Sequence, residues 1–199
     1  MKHYIEITLL PNPEVGLFFL WTKVLTQVHI ALVERQDQTG RVPIGVSFPE
    51  YIHREKHAML GSKLRLFAAS EAILNQMDVQ KHLDRLHDYV HITSVRNVPE
   101  QVKNYAIYQR VHLKTNAQRL ARRYAKRHQI SIEQALMHYA GYKDDESALP
   151  YIQLKSLSNG QNFRLIIAKK SVTQPQELNM SFNSFGLSGM ELGTPVPEF

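Results

Sequence analysis

Three groups of residues have the types and the spacing to do chemistry. Arg119, Arg122, Arg123, Lys126 and Arg127 fall at i, i+3, i+4, i+7 and i+8, one face of a helix predicted over about 116–128. Leu120, Ala121, Tyr124 and Ala125 take the other side and give that helix an apolar surface to dock on the protein. Like charges at i,i+4 cost a few tenths of a kcal/mol each, and no Asp or Glu between Gln101 and Ile132 offsets them. A solvated face normally mixes both signs, so the pattern points to a polyanionic partner, a nucleic acid. DNA and RNA both stay open. The DNA major groove admits a helix, and a short RNA hairpin can be reached near its ends and loop.

The second group is His29, in the otherwise apolar run Val24–Leu32. Its ordinary reading is a satisfied histidine at the edge of the core, yet an imidazole also titrates near neutrality and suits a general base. The third is Ser156 and Ser158 beside Lys155. They are either plain turn residues or hydroxyls that hold a phosphate or a ribose hydroxyl. His53 and His57 are also spaced i,i+4, but the residues between them do not make the His-Glu-x-x-His zinc pattern. The chain has no cysteine, no Gly-rich phosphate loop and no carboxylate cluster for a two-metal site. A nuclease built on it has to work without metal or other cofactor.

These groups must be positioned by a chain of 199 residues whose 43% apolar content supports a real core and excludes intrinsic disorder. The formal charge of +6 resolves into +8 over 101–132 and −2 over the rest, a near-neutral scaffold carrying one basic segment. No run approaches the ~18–20 apolar residues of a membrane span, and Met1–Glu6 is unlike a signal peptide. A soluble cytoplasmic protein without a membrane partner is expected. Ile5, Ile7 and Leu9 alternate as in a half-buried strand, and Asn12-Pro13-Glu14 supplies a cap and first turn for a helix through Leu17–Glu34. Strands are predicted over Val42–Phe48 and Lys63–Ala69, around a charged loop at Tyr51–His57. A helix from Ser70-Glu71 to about Leu86 and a strand through Val90, Ile92 and Val95 complete the order. Strand, helix, strand, strand, helix, strand is the split βαβ arrangement, so the expected fold class is α+β with a ferredoxin-like domain over 1–95.

After a linker containing Pro99, a smaller domain is expected over 96–199. Its elements are a strand over Ala106–Lys114, helices opened by the capping boxes Thr115–Gln118 and Ser131–Gln134, and strands over Tyr151–Ser156 and Asn162–Ala168 joined at Asn159-Gly160. A last short strand is predicted over Ser181–Leu187, followed by a tail.

Several of these segments together resemble the CRISPR repeat-processing endoribonucleases of type I-F (Ypest subtype) systems. The matching text is Ile44-Gly45-Val46-Ser47-Phe48-Pro49 after the His29 helix, the arginine-rich helix, Lys155–Leu165, and Phe185-Gly186-Leu187-Ser188, in an order and spacing that cover almost the whole chain. The resemblance implies a ferredoxin-like N-terminal domain and a smaller C-terminal domain bearing the arginine helix. It implies binding of the CRISPR repeat stem-loop, metal-independent cutting at the 3′ base of the stem, and retention of the crRNA hairpin alongside the other subunits of a type I-F crRNA-guided complex. Carried over by position, His29 would deprotonate the ribose 2′-hydroxyl upstream of the cut. Ser156 would hold that hydroxyl or the reacting nucleotide, with Ser158 nearby. Arg110 matches an arginine that reads a guanine, and His112 stands where the family can have a glutamine that reads an adenine. Arg123, Lys126 and Arg127 match the groove-inserted helix, Phe163 the aromatic at the base of the stem, and Lys114, Arg119 and Arg122 join the same basic surface. Lys155, by adjacency, is placed to stabilise charge on the phosphorane. The expected product is a 2′,3′-cyclic phosphate with a free 5′-hydroxyl.

Phe185 departs from the pattern, because better-known relatives have a tyrosine there that helps orient the histidine. Phenylalanine keeps the ring and loses the hydroxyl, so the tautomer and orientation of His29 need another partner. The alternative is a non-catalytic crRNA-hairpin-binding subunit. A general RNA-recognition-motif domain ranks last, since Ser62–Ala69 lacks the Gly-containing aromatic signature on which those domains stack bases.

Overall fold

The computed structural model describes residues 1–54, 57–113, 117–141, 147–173, 181–189 and 193–199. Lys114 of the basic segment, and Thr115 and Asn116 of the first capping box, lie outside the described residues. In chain order the elements are β1 (His3–Leu9), α1 (Leu17–Val33), β2 (Gly45–Ser47), β3 (Ile52–Arg54), β4 (His57–Met59) and β5 (Lys63–Ala68). There follow α2 (Glu71–Met77), α3 (Val79–His82), a 3-10 turn over Asp84–Tyr89, β6 (Val90–Ile92), β7 (Arg96–Asn97) and β8 (Asn104–Val111). The rest are α4 (Ala117–His128), α5 (Ile132–His138), β9 (Tyr151–Lys155), β10 (Asn162–Val172) and β11 (Val196–Glu198). The class is therefore mixed helix and strand, as expected.

The first sheet runs β2-β5-β1-β6 with β7 also on β1, and its pairings are antiparallel. Ile5, Ile7 and Leu9 are buried on one side of β1, as their alternation predicts. The second sheet runs β11-β8-β10-β9, again antiparallel. All strands of the first sheet lie within 3–97 and all those of the second within 104–198. Both sheets nevertheless belong to one compact unit, Met1–Val111 with Leu149–Phe199, while His112–Ala148 forms a second unit. In the larger unit, the Tyr108 hydroxyl donates to the Phe48 carbonyl at 3.0 Å and the Tyr51 hydroxyl to that of Ile167 at 3.0 Å. These bonds tie the second sheet to the turn after β2.

Five sequence expectations are corrected. Asn12 does not cap α1: its Oδ1 accepts from the N–H groups of Glu14 and Val15, closing a separate turn, and the helix starts after the extended Gly16. The long helix over 70–86 is broken at Asp78, whose φ of 46° is left-handed. Breaking it lets Leu74, Met77, Val79 and Leu83 all reach the core, so burial outweighs helical continuity. The loop around Tyr51–His57 contains the hairpin of β3 and β4. The expected strand over Ser181–Leu187 is mostly a turn. Only Phe182 bridges, to Val42, and the Asn183 carboxamide oxygen then accepts from the N–H groups of Phe185 and Leu187, diverting them from a ladder. The final strand, β11 on β8, was expected to be a tail.

In the smaller unit, α4 and α5 bury Ala121, Ala125 and Ala135 against one another, with Tyr124 and Tyr139 packed at the edge. The second predicted capping box is present. Ser131 Oγ accepts from the Gln134 N–H at 3.1 Å, and Gln134 Oε1 accepts from the Ser131 N–H at 3.2 Å.

Candidate active site

α1 buries Leu25, Val28 and Leu32, and His29 lies half-buried beside that stripe. Its Nδ1 is 2.7 Å from the carbonyl oxygen of Ser184, far along the chain. A carbonyl only accepts, so Nδ1 carries the proton of the neutral ring, and Nε2 keeps a free lone pair. The ring of Phe185 stacks on the imidazole with centroids 4.0 Å apart and planes 8° from parallel. Burial pulls the His29 pKa below the ordinary imidazole value, with the bond to Ser184 acting weakly the other way. At neutral pH the ring is therefore an unprotonated base in a fixed tautomer.

The turn that supplies Ser184 and Phe185 is seated on the Ile44–Pro49 stretch. The Val46 N–H donates to the Gly186 carbonyl at 2.9 Å. Gly186 has a φ of 70°, and a Cβ there would stand 2.5 Å from Val46 Cγ1. Gly45 is equally constrained, since a Cβ would stand 2.5 Å from the ring of Phe182. The two glycines let the turn and β2 approach closely enough for the carbonyl to reach His29.

The contacts continue onto the second sheet. Phe163 meets Phe185 edge to face at 6.4 Å, and the Arg110 guanidinium lies 5.1 Å from the Phe163 ring centroid. Arg110 is opposite Ile167 and Phe163 opposite Leu154, so with period-two alternation Arg110, Phe163 and Ser156 occupy one sheet face. Arg110 Nε is buried and has no hydrogen-bond partner, and burial draws the guanidinium pKa down. A buried donor without an acceptor is unusual and suits a group awaiting a ligand. Ser156 and Ser158 form their own pair, Oγ to Oγ 3.1 Å, in a loop closed by the Ser156 N–H to the Gln161 carbonyl at 2.8 Å. Gly160, with φ of 68°, turns that loop as Asn159-Gly160 predicted.

One chain of contacts thus joins His29, Phe185, Phe163 and Arg110, and the serine pair ends the sheet face that carries two of them. Lys155 precedes Ser156 and is exposed. In the smaller unit Arg119, Arg122, Arg123, Lys126 and Arg127 are all exposed on α4, opposite the buried alanines, as their spacing predicted. His112, also exposed, opens that unit. Sequence reasoning missed the Ser184 carbonyl and Asn183. Their signal was legible as turn chemistry, Asn-Ser-Phe-Gly, although the apolar residues around it suggest a strand. Among the described residues no helix is long and apolar enough to cross a membrane.

Comparison with known proteins fits this geometry. A family model described as CRISPR-associated protein (Cas_Csy4) matches residues 4–199. A protein of Escherichia coli (strain UTI89 / UPEC), named CRISPR-associated endonuclease Cas6/Csy4, is 34% identical over 188 residues, 94% of this chain and 96% of the relative. One of the same name from Pseudomonas aeruginosa (strain UCBPP-PA14) is 32% identical over 199 residues, 100% of both chains. A solved structure described as an RAMP protein binding different RNA substrates shares 10% identity over 100% of both chains, and its TM-score of 0.33 is too low to bear on the fold. With a family model spanning nearly all of it and two full-length relatives above 30% identity, this chain belongs to the Csy4 family of CRISPR-associated proteins.

Proposed function

We propose that the protein is a metal-independent endoribonuclease that binds the stem-loop of CRISPR repeat RNA and cuts at the 3′ base of the stem. The observation that carries the reading is the His29 arrangement, with Nδ1 held by the Ser184 carbonyl, the ring clamped by Phe185, and Nε2 left unprotonated. Nε2 takes the proton of the ribose 2′-hydroxyl, and the freed oxygen attacks the adjacent phosphorus. The 5′-oxygen leaves and takes up a proton from water while His29 releases its own to solvent, giving a 2′,3′-cyclic phosphate and a 5′-hydroxyl. The Ser156 and Ser158 hydroxyls hold the reacting nucleotide for in-line attack, and Lys155 offsets the charge that develops on phosphorus. Arg110 offers its buried unpaired donor to a guanine edge, with Phe163 against the base of the stem. His112, Arg119, Arg122, Arg123, Lys126 and Arg127 supply the cations and donors that meet the stem.

The sheet order β2-β5-β1-β6 supports reading the first sheet with α1 and α2 as a ferredoxin-like arrangement. After cutting, the protein stays on the mature hairpin and joins the other subunits of a type I-F complex. The test is a repeat hairpin incubated with excess EDTA. Cutting by the wild type, and its loss in His29→Ala with hairpin affinity retained, is the expected result. A hairpin bound tightly but left intact by the wild type would make the protein a binding subunit instead.

A further inference from the structure

α1 opens with three consecutive apolar residues that remain largely in solvent: Leu17, Phe18 and Phe19 are 40%, 51% and 55% exposed. Single exposed apolar residues are ordinary, but a contiguous group marks a contact surface. Phe18 meets Tyr151 of β9 edge to face at 5.4 Å, and the exposed guanidinium of Arg164 lies 4.7 Å from the Tyr151 ring centroid. On the next turn Lys23 Nζ stands 5.0 Å from the Phe19 centroid. Aromatic rings and cations thus alternate along one ledge of the larger unit.

The charge of this ledge is one-sided. Neither Leu17–Val33 nor Ser147–Thr173 contains an acidic residue, while they contribute Lys23, Lys155, Arg164 and Lys170; their Lys169 is paired with Glu198. The same two segments carry His29 and the Ser156–Ser158 pair. Phe18 precedes His29 on α1 by three turns, roughly 16 Å along the axis. Rings that accept stacked bases, interleaved with cations that follow the backbone, are what single-stranded nucleic acid binds without regard to sequence.

We propose that this ledge binds the single-stranded RNA that leaves the base of the hairpin. The inference rests on the reading of the protein as a hairpin endoribonuclease and extends it, assigning Phe18, Phe19, Tyr151, Arg164 and Lys23 to a strand beyond the stem. A flanking strand held there anchors the reacting nucleotide on its unpaired side, where the stem gives it no support.

The test measures affinity of the full chain for three hairpins blocked from cutting by a 2′-deoxy substitution. One ends at the stem, one carries a 5′ single-stranded extension, and one a 3′ extension, so that the two sources of the strand are told apart. One extension is expected to tighten binding about tenfold. Phe18→Ala and Tyr151→Ala should remove that gain without changing affinity for the bare hairpin. Arg164→Gln should make the salt dependence of the extended RNA shallower by about 0.7 in log–log slope. Equal affinity for all three RNAs overturns the inference. So does a gain that survives in the ledge variants, which would assign the ledge to a protein partner. If the bare hairpin is not bound, the proposed function fails instead. The ledge is then judged on oligoadenylate, whose binding must weaken in Phe18→Ala.

Discussion

His29 meets its surroundings through two contacts that do different jobs. The Ser184 carbonyl decides which nitrogen carries the proton, and the stack on Phe185 fixes the plane in which the free nitrogen points. A relative with a tyrosine at this position has a hydroxyl to spend on orientation. Here a backbone oxygen supplies the polar contact, so the loss of the hydroxyl does not leave the tautomer undefined. Burial also sets the working pH range. A general base acts when neutral, so kcat/KM rises with pH through the free-protein pKa and is flat above it. Because that pKa is lowered, the midpoint of the acid limb is expected below the ordinary imidazole value of about 6.5. Phe185→Leu, which thins the cover over the ring, should move the midpoint back up. A kcat/KM profile for both proteins checks this, and a wild-type midpoint above the ordinary value would remove His29 as the base.

At the scale of elements, the turn over residues 182–188 works only because two glycines admit it to β2. Gly186→Ala puts a side chain at positive φ and into Val46, so a loss of about 2 kcal/mol is expected. In a chain of this size that lowers Tm by about 4–8 °C. Cutting should fall more than hairpin binding, because in the proposed mechanism the displaced carbonyl serves the reaction and not the RNA contact. Thermal denaturation together with single-turnover cutting tests both halves. This turn also marks where sequence reading stopped. Alternation in β1, the Asn159-Gly160 loop, the Ser131 box and the two-sided α4 are local patterns, and the structure repeats them. The break at Asp78 and the turn at Asn183 are decided by what lies across the molecule, and local periodicity carries no record of that. Among the site residues, the resemblance supplied roles for His29, Phe163 and Arg110. The contact that fixes His29 comes from a main-chain oxygen, which residue identity cannot disclose.

At the scale of the whole molecule, the basic helix and the proposed catalytic residues sit in separate parts of the chain. The exposed cations of α4 lie in the unit 112–148, whereas His29, Ser156, Phe163 and Phe185 all lie in the larger one. Binding and cutting should therefore respond to different variants. Replacing Arg122, Arg123, Lys126 and Arg127 together by Gln is expected to weaken hairpin binding by a hundredfold or more at moderate salt, from four lost phosphate contacts at ~0.9 in log–log slope each. At saturating RNA, kcat should stay within a few-fold of wild type. A variant that binds as tightly as the wild type, with an unchanged salt slope, would mean that the stem is held elsewhere.

The bond between His29 and Ser184 spans 155 residues of sequence. During synthesis the base therefore exists long before the oxygen that orients it. Until residues 182–188 have left the ribosome and settled on β2, the chain carries an imidazole with neither its acceptor nor its stacking ring. On the proposed mechanism a nascent chain of this protein is thus a poor nuclease, and competence to cut arrives late. A refolding time course should show hairpin cutting appearing with the docking of that turn.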